Sequence, residues 1–120
     1  MIIKECKDSF DSCVQRVKER IVKAGSVIFA EIDHSKNAKE VGMELEPTKV
    51  LIFGNPRVGT ILMREKREIS YELPLRLVIW ESSGRVQIGY RKPSHVAQEY
   101  GLNNEILKKM DEFMENITSV

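Results

Sequence analysis

Residues 73–90 read LPLRLVIWESSGRVQIGY, and this stretch decides the architecture. A strand pattern runs from Leu73 to Glu81, Ser82, Ser83 and Gly84 supply turn chemistry, and Val86, Ile88 and Tyr90 then alternate with Arg85, Gln87 and Gly89. Alternation puts every second side chain on one face, and so short a loop leaves no room for a helical crossover. The two strands are therefore antiparallel neighbours. Pro74 falls near the start of the first, where a missing ladder donor is tolerated.

Upstream, residues 50–60 read VLIFGNPRVGT. Val50 to Phe53 is apolar at every position and bounded by Pro47 and Gly54, the mark of a strand in the middle of a sheet. Asn55 and Pro56 then open a helix reaching about Arg64, with Asn as cap and Pro at the first helical position. Further out, Ile2 to Cys6 is a short strand. Asp8 or Ser9 caps a helix whose stripe is Phe10, Cys13, Val14, Val17, Ile21 and Ala24, stopped at Gly25. Val27 to Asp33 is a strand with Ile28, Ala30 and Ile32 on one face, and Ser35 to Val41 a short helix. Pro93 to Tyr100 is another, closed by Gly101. Asn103 then caps a helix over about 103–118 with Ile106, Leu107, Met110, Phe113, Met114 and Ile117 on its stripe, and Leu102 is placed to staple onto Leu107. The order is β-α-β-α-β-α-β-β-α-α. The fold class is α+β, a single domain over residues 1–120 with a curved, mainly antiparallel sheet of about five strands packed with helices.

Composition bounds the function. The 120 residues carry 19 Lys plus Arg against 18 Asp plus Glu, a net charge of +1, with 42% apolar and 31% charged residues. Such a chain buries roughly 60–70% of its unfolded surface, enough for one core without staples. Charge so evenly balanced lacks the basic excess that a phosphate backbone demands, so no nucleic-acid partner is expected. No apolar run approaches the length of a membrane span and no secretory leader opens the chain, so no membrane partner and a cytoplasmic location are expected. High Lys, Glu and Arg with three Gln points toward a thermophile. Cys6 and Cys13 fit no metal-ligand spacing and read as buried thiols. With His34 and His95 the only histidines, no metal and no other cofactor is expected.

Two polar clusters stand at strand ends, where a rigid scaffold presents functional groups. The first is Gly54 to Thr60, whose glycine spacing approaches that of a phosphate loop but has Thr60 where the phosphate-reaching lysine belongs, so an NTPase is rejected. Gly59, inside a helical pattern, costs about 1 kcal/mol relative to Ala and so permits a close approach, by packed backbone or by ligand. The second is Asp33, His34 and Ser35. Adjacency cannot make an Asp–His dyad, and Asp33 or Ser35 is a natural cap; for His34 a structural hydrogen bond, ligand binding and proton transfer all stay open.

The phrases Ile32-Asp33-His34, Phe53-Gly54-Asn55-Pro56 with Gly59-Thr60, Leu73-Pro74-Leu75, Trp80-Glu81 and Gly101-Leu102 resemble domain-of-unknown-function family 302 over about residues 27–102. The resemblance implies a compact α+β domain with a curved antiparallel sheet, related in outline to the TATA-box-binding-protein-like fold and often homodimeric, with no established activity. The chain departs from the family pattern at Lys66-Arg67, at Glu72, where Asp is usual, and at Glu99-Tyr100, where Arg-His is common. A histidine-based family site is thereby weakened here.

These readings converge on a homodimeric binding module whose cleft, lined by Asp33, His34, Asn55, Gly59 and Thr60, takes a small polar or anionic ligand, with no catalytic residues assigned. Two alternatives stand beside it: a small enzyme or sulfur/redox accessory acting through Cys13 or His34, and a structural or regulatory interaction domain.

Overall fold

The computed structural model describes residues 1–120. Its elements are β1 (Ile2–Cys6), α1 (Phe10–Lys23), β2 (Val27–Asp33), α2 (His34–Glu40), β3 (Thr48–Gly54), α3 (Pro56–Glu65), a short 3₁₀ turn at Arg67–Tyr71, β4 (Leu75–Ser82), β5 (Arg85–Tyr90), α4 (Pro93–Gln98) and α5 (Ile106–Thr118). This is the expected order with one 3₁₀ turn added. The five strands form one sheet in the order β1-β5-β4-β3-β2, every pairing antiparallel, so β4 is central and β3 lies between β4 and β2.

Local chemistry explains the boundaries. Ser9 caps α1 by accepting from the Ser12 N–H, Asn55 caps α3 by accepting from the Arg57 N–H, and Pro56 opens α3 where no donor is wanted. The β4–β5 turn is made by Ser83 and Gly84, both at positive φ (51° and 79°), as a tight hairpin matched to strand twist demands. Leu73–Pro74 is a cis peptide, and Pro74 stands just before β4. Ahead of α5 it is Asn104, not the expected Asn103, whose side chain meets the helix start: its Oδ1 accepts from the Ile106 N–H.

One sheet face and helices α1 and α5 enclose the main core of Cys13, Val17, Ile21, Leu51, Phe53, Leu77, Ile79, Ile88, Met114 and Ile117 with their neighbours. A second cluster, Leu62, Ile69, Ala97, Leu102, Leu107 and Met110, lies where α3, α4 and the start of α5 meet, and the expected Leu102–Leu107 staple falls inside it. Helix α5 contributes to both clusters.

Strand β2 departs from the expected alternation. Ile28 pairs with Phe53 and Ala30 with Ile52, leaving Phe29 as the extra residue of a bulge. Ile28 therefore faces the main core while Ala30 and Ile32 face the other side, and Glu31 turns toward α1. There its carboxylate meets Lys18 Nζ at 2.8 Å and Lys49 Nζ at 3.2 Å. The Lys18 hydrogen bond is the main cause that holds Glu31 below its ordinary value of 4.5. A depressed carboxylate contributes stability that is complete above its unfolded pKa and is lost as pH falls through the lowered folded one. Glu31→Gln is thus expected to cost about 0.5–1 kcal/mol at neutral pH and progressively less as pH falls below the ordinary carboxylate range, which acid-titrated urea unfolding of the two proteins measures.

The cysteines correct the sequence reading. They are buried as expected but are bonded to each other rather than free thiols: Cys6 ends β1, Cys13 lies in the first turns of α1, and their Cα atoms stand 6.3 Å apart, inside the range a disulfide spans. A seven-residue separation across a strand-to-helix turn is not a recognisable spacing, which is why the sequence alone hid it. A nucleophile role for Cys13 has no free thiol behind it. No helix is long and apolar enough to cross a membrane.

Candidate functional site

A recess of about 600 Å³ opens at the sheet end where β3 finishes and where β2 and β4 begin. Its volume falls within the span of roughly 300–1,000 Å³ that small-molecule pockets occupy. It follows the seam between the two core clusters. Val58 and Met63 come from α3; Leu73, Pro74 and Leu75 from the segment entering β4; Ile106, Met110 and Phe113 from α5; and Phe29 from the β2 bulge. Without that extra residue Phe29 would continue the alternation of the sheet; with it, the half-exposed ring borders the recess. Polar groups are few: Ser26, Asn55, Thr60 and Lys109.

Three of the five expected site residues, Asn55, Gly59 and Thr60, line this recess. Asp33 and His34 do not. Val27 is paired with Gly54 and Asp33 with Lys49, so six residues of extended strand, about 20 Å, separate the Asp33 end of β2 from the Asn55 end of β3. No recess is shared between the two clusters. Asp33 has a structural task instead: it caps α2, accepting from the Lys36 N–H at 2.9 Å and the Ser35 hydroxyl at 2.7 Å, and these bonds keep its carboxyl below the usual range. His34 is the exposed first residue of α2.

The start of α3 is not a vacant anion seat. The Arg57 N–H is held by Asn55 Oδ1, and the Val58 and Gly59 N–H groups are both held by the Asn55 carbonyl at 3.0 Å. Gly59 is more telling. A methyl group placed there would meet only Met63 Cε at 3.5 Å and Leu73 Cδ1 at 3.8 Å, ordinary contact distances with side-chain ends. No backbone crosses close to it, so helix packing does not require glycine, and what a side chain would take up is space on the recess wall.

The pattern departures at 72 and 100 turn out to be partners. The Tyr100 hydroxyl donates to Glu72 Oε2 at 2.8 Å, and this carboxylate raises the phenol above its ordinary value of 10, so Tyr100 keeps its proton at neutral pH. Sequence reasoning also missed Phe29, Met63 and Lys109. The available signal was on α5, where Lys109 follows Ile106 by three residues and precedes Phe113 by four, placing a charge on an otherwise apolar face.

The fold recurs in an uncharacterized conserved DUF302 protein from Bacillus stearothermophilus, with a TM-score of 0.81 at 19% identity over 98% of this chain and 91% of that one. The chain is also 37% identical over 112 residues to "Fluoride-specific ion channel FluC 1" from Brucella suis biovar 1 (strain 1330) and to the protein of the same name from Brucella abortus biovar 1 (strain 9-941). That similarity takes in 91% of this chain but only 44% and 42% of those proteins, so the chain spans less than half the length of these curated relatives. Residues 2–117 match the family model described as "Domain of unknown function DUF302", well beyond the 27–102 over which its motifs are legible, and the chain belongs to that family.

Proposed function

We propose that the protein is a binding module for a small, mainly apolar molecule held in the recess between α3, α5 and the start of β4. The observation that carries this reading is Gly59: a helix-interior glycine that packing does not need, set in the wall of a 600 Å³ apolar hollow. The expected polar cleft gives way to a carbon-lined one, and Asp33 and His34 drop out of the binding set.

Gly59→Ala separates fold from function. The free protein is expected to gain about 0.5–1 kcal/mol from helix propensity, since the added methyl meets nothing closer than van der Waals contact. Affinity for octan-1-ol, followed by amide shifts of Val58, Met63 and Phe113 in two-dimensional NMR, is expected to fall. An equal affinity in both proteins, or shifts spread elsewhere, removes the recess as the site. The expected homodimer is read from the same sample by light scattering, as twice 13.8 kDa.

A second reading is favoured by one observation: the chain resembles less than half of proteins named as fluoride channels, yet none of its helices is long and apolar enough to cross a membrane. The shared part is then a module carried beside a pore. Deleting it from such a relative should leave fluoride flux into liposomes intact; loss of conduction would place it in the pore assembly.

A further inference from the structure

We infer that the ligand of this recess is a single-chain organic anion, an aliphatic body carrying one acidic head, and that Lys109 selects the head. The inference rests on the recess being a binding site, and adds the sign of the charge it reads. Of the seventeen lining residues Lys109 alone is charged, and no carboxylate lines the hollow. Lys109 enters no ion pair, a state it shares with Lys7, Lys23, Lys36, Lys39, Lys92 and Lys108, although Glu105 stands just before α5 and Glu112 on it; among these unpaired lysines it alone lines the recess. It shares the α5 face of Ile106, Met110 and Phe113, so its methylene stem can lie along the apolar wall while the ammonium group stays at the wet mouth. Asn55 adds a donor: its Oδ1 is committed to the α3 cap, while its amide nitrogen bonds to no protein group. An apolar hollow with one unpaired cation and one free amide at its edge complements an acid with a hydrocarbon tail. A phosphate or nucleotide would leave the carbon wall unused, and an amine would face Lys109 with like charge.

The test uses the intact protein with octanoate, octan-1-ol and octylamine in isothermal titration at neutral pH. Octanoate is expected to bind at least about fivefold tighter than octanol, the advantage of one partly solvated charge pair, and octylamine more weakly than either. The octanoate advantage should shrink as salt rises, and each added methylene in the acid series should tighten binding by up to about fourfold. Lys109→Gln is expected to bring the octanoate-to-octanol ratio close to one, and Lys109→Arg to keep it. If octanol matches octanoate, or Lys109→Gln leaves the ratio in place, the head-group inference is overturned and the apolar site stands. If none of the three binds, the proposed function itself fails. Sedimentation with phosphatidylglycerol vesicles, lost in Lys109→Gln, would assign the same lysine to a membrane surface and overturn the free-acid assignment.

Discussion

Phe53→Ala is expected to cost about 3–5 kcal/mol, the range for emptying a fully buried phenylalanine site whose surroundings cannot collapse. Phe53 is completely buried on the inner face of β3, paired with Ile28 of β2 and Leu75 of β4, and its ring stands 6.0 Å from that of Phe113 at 56°. Two strands and α5 therefore lean on one side chain. Because a domain of this size holds only about 5–15 kcal/mol in all, the variant should lose about a fifth of its stability or more, read as a lower urea midpoint at unchanged m-value. Phe113 also lines the recess, so the substitution should loosen its α5 wall, and Phe53→Leu, which keeps most of the volume, should recover most of the loss. A drop below about 1.5 kcal/mol in Phe53→Ala would mean that Phe113 and α5 settle into the space, against the close packing that defines this core.

The same residues show what could be read in advance. Val50 to Phe53 announced an interior strand because every position is apolar, and the β4–β5 hairpin announced itself through turn chemistry at Ser83 and Gly84. Both signals are local. The β2 bulge is not, because an extra residue in a ladder is defined by its partner strand, and an apolar Phe29 in an apolar run carries no mark of it. The split of the expected site has a topological cause. Strand β2 leads through short α2 directly into the antiparallel β3, which puts Asp33 beside the beginning of β3, whereas Asn55 follows its end. Strand ends were visible in the sequence; which strand ends share one edge of the sheet depends on pairing and register. Asn55, Gly59 and Thr60 were found because one local turn holds all three, and Lys109 was missed because only the docking of α5 against α3 brings it to them.

Reducing the Cys6–Cys13 bond is the second large effect, expected to lower stability by about 2–2.5 kcal/mol and the melting temperature by about 10 °C. The magnitude follows from the chain entropy that a seven-residue separation returns to the unfolded state, small by comparison with long-loop bridges yet sizeable against the whole. The bond ties edge strand β1 to α1 across a turn already held by Ser9 capping Ser12 and by Asp8 accepting from the Ser9 N–H and the Ser12 hydroxyl. Strand β1 pairs only with β5 and is otherwise tied down by the Lys4–Glu115 ion pair to α5 and by the covalent link. Calorimetry with and without a phosphine reductant should show the shift, thiol titration should count none before reduction and two after, and a Cys6→Ala/Cys13→Ala double variant should melt at one temperature in both buffers. An unchanged melting point in protein proven reduced would show that the turn's hydrogen bonds suffice. The result also bears on where the protein works, because a structural disulfide persists in oxidising compartments or inside hyperthermophiles and is kept open in ordinary reducing cytosol. A measured loss of that size would favour one of the first two settings, the second of which is a cytoplasm; the reading that the bond itself overturns is that of free thiols.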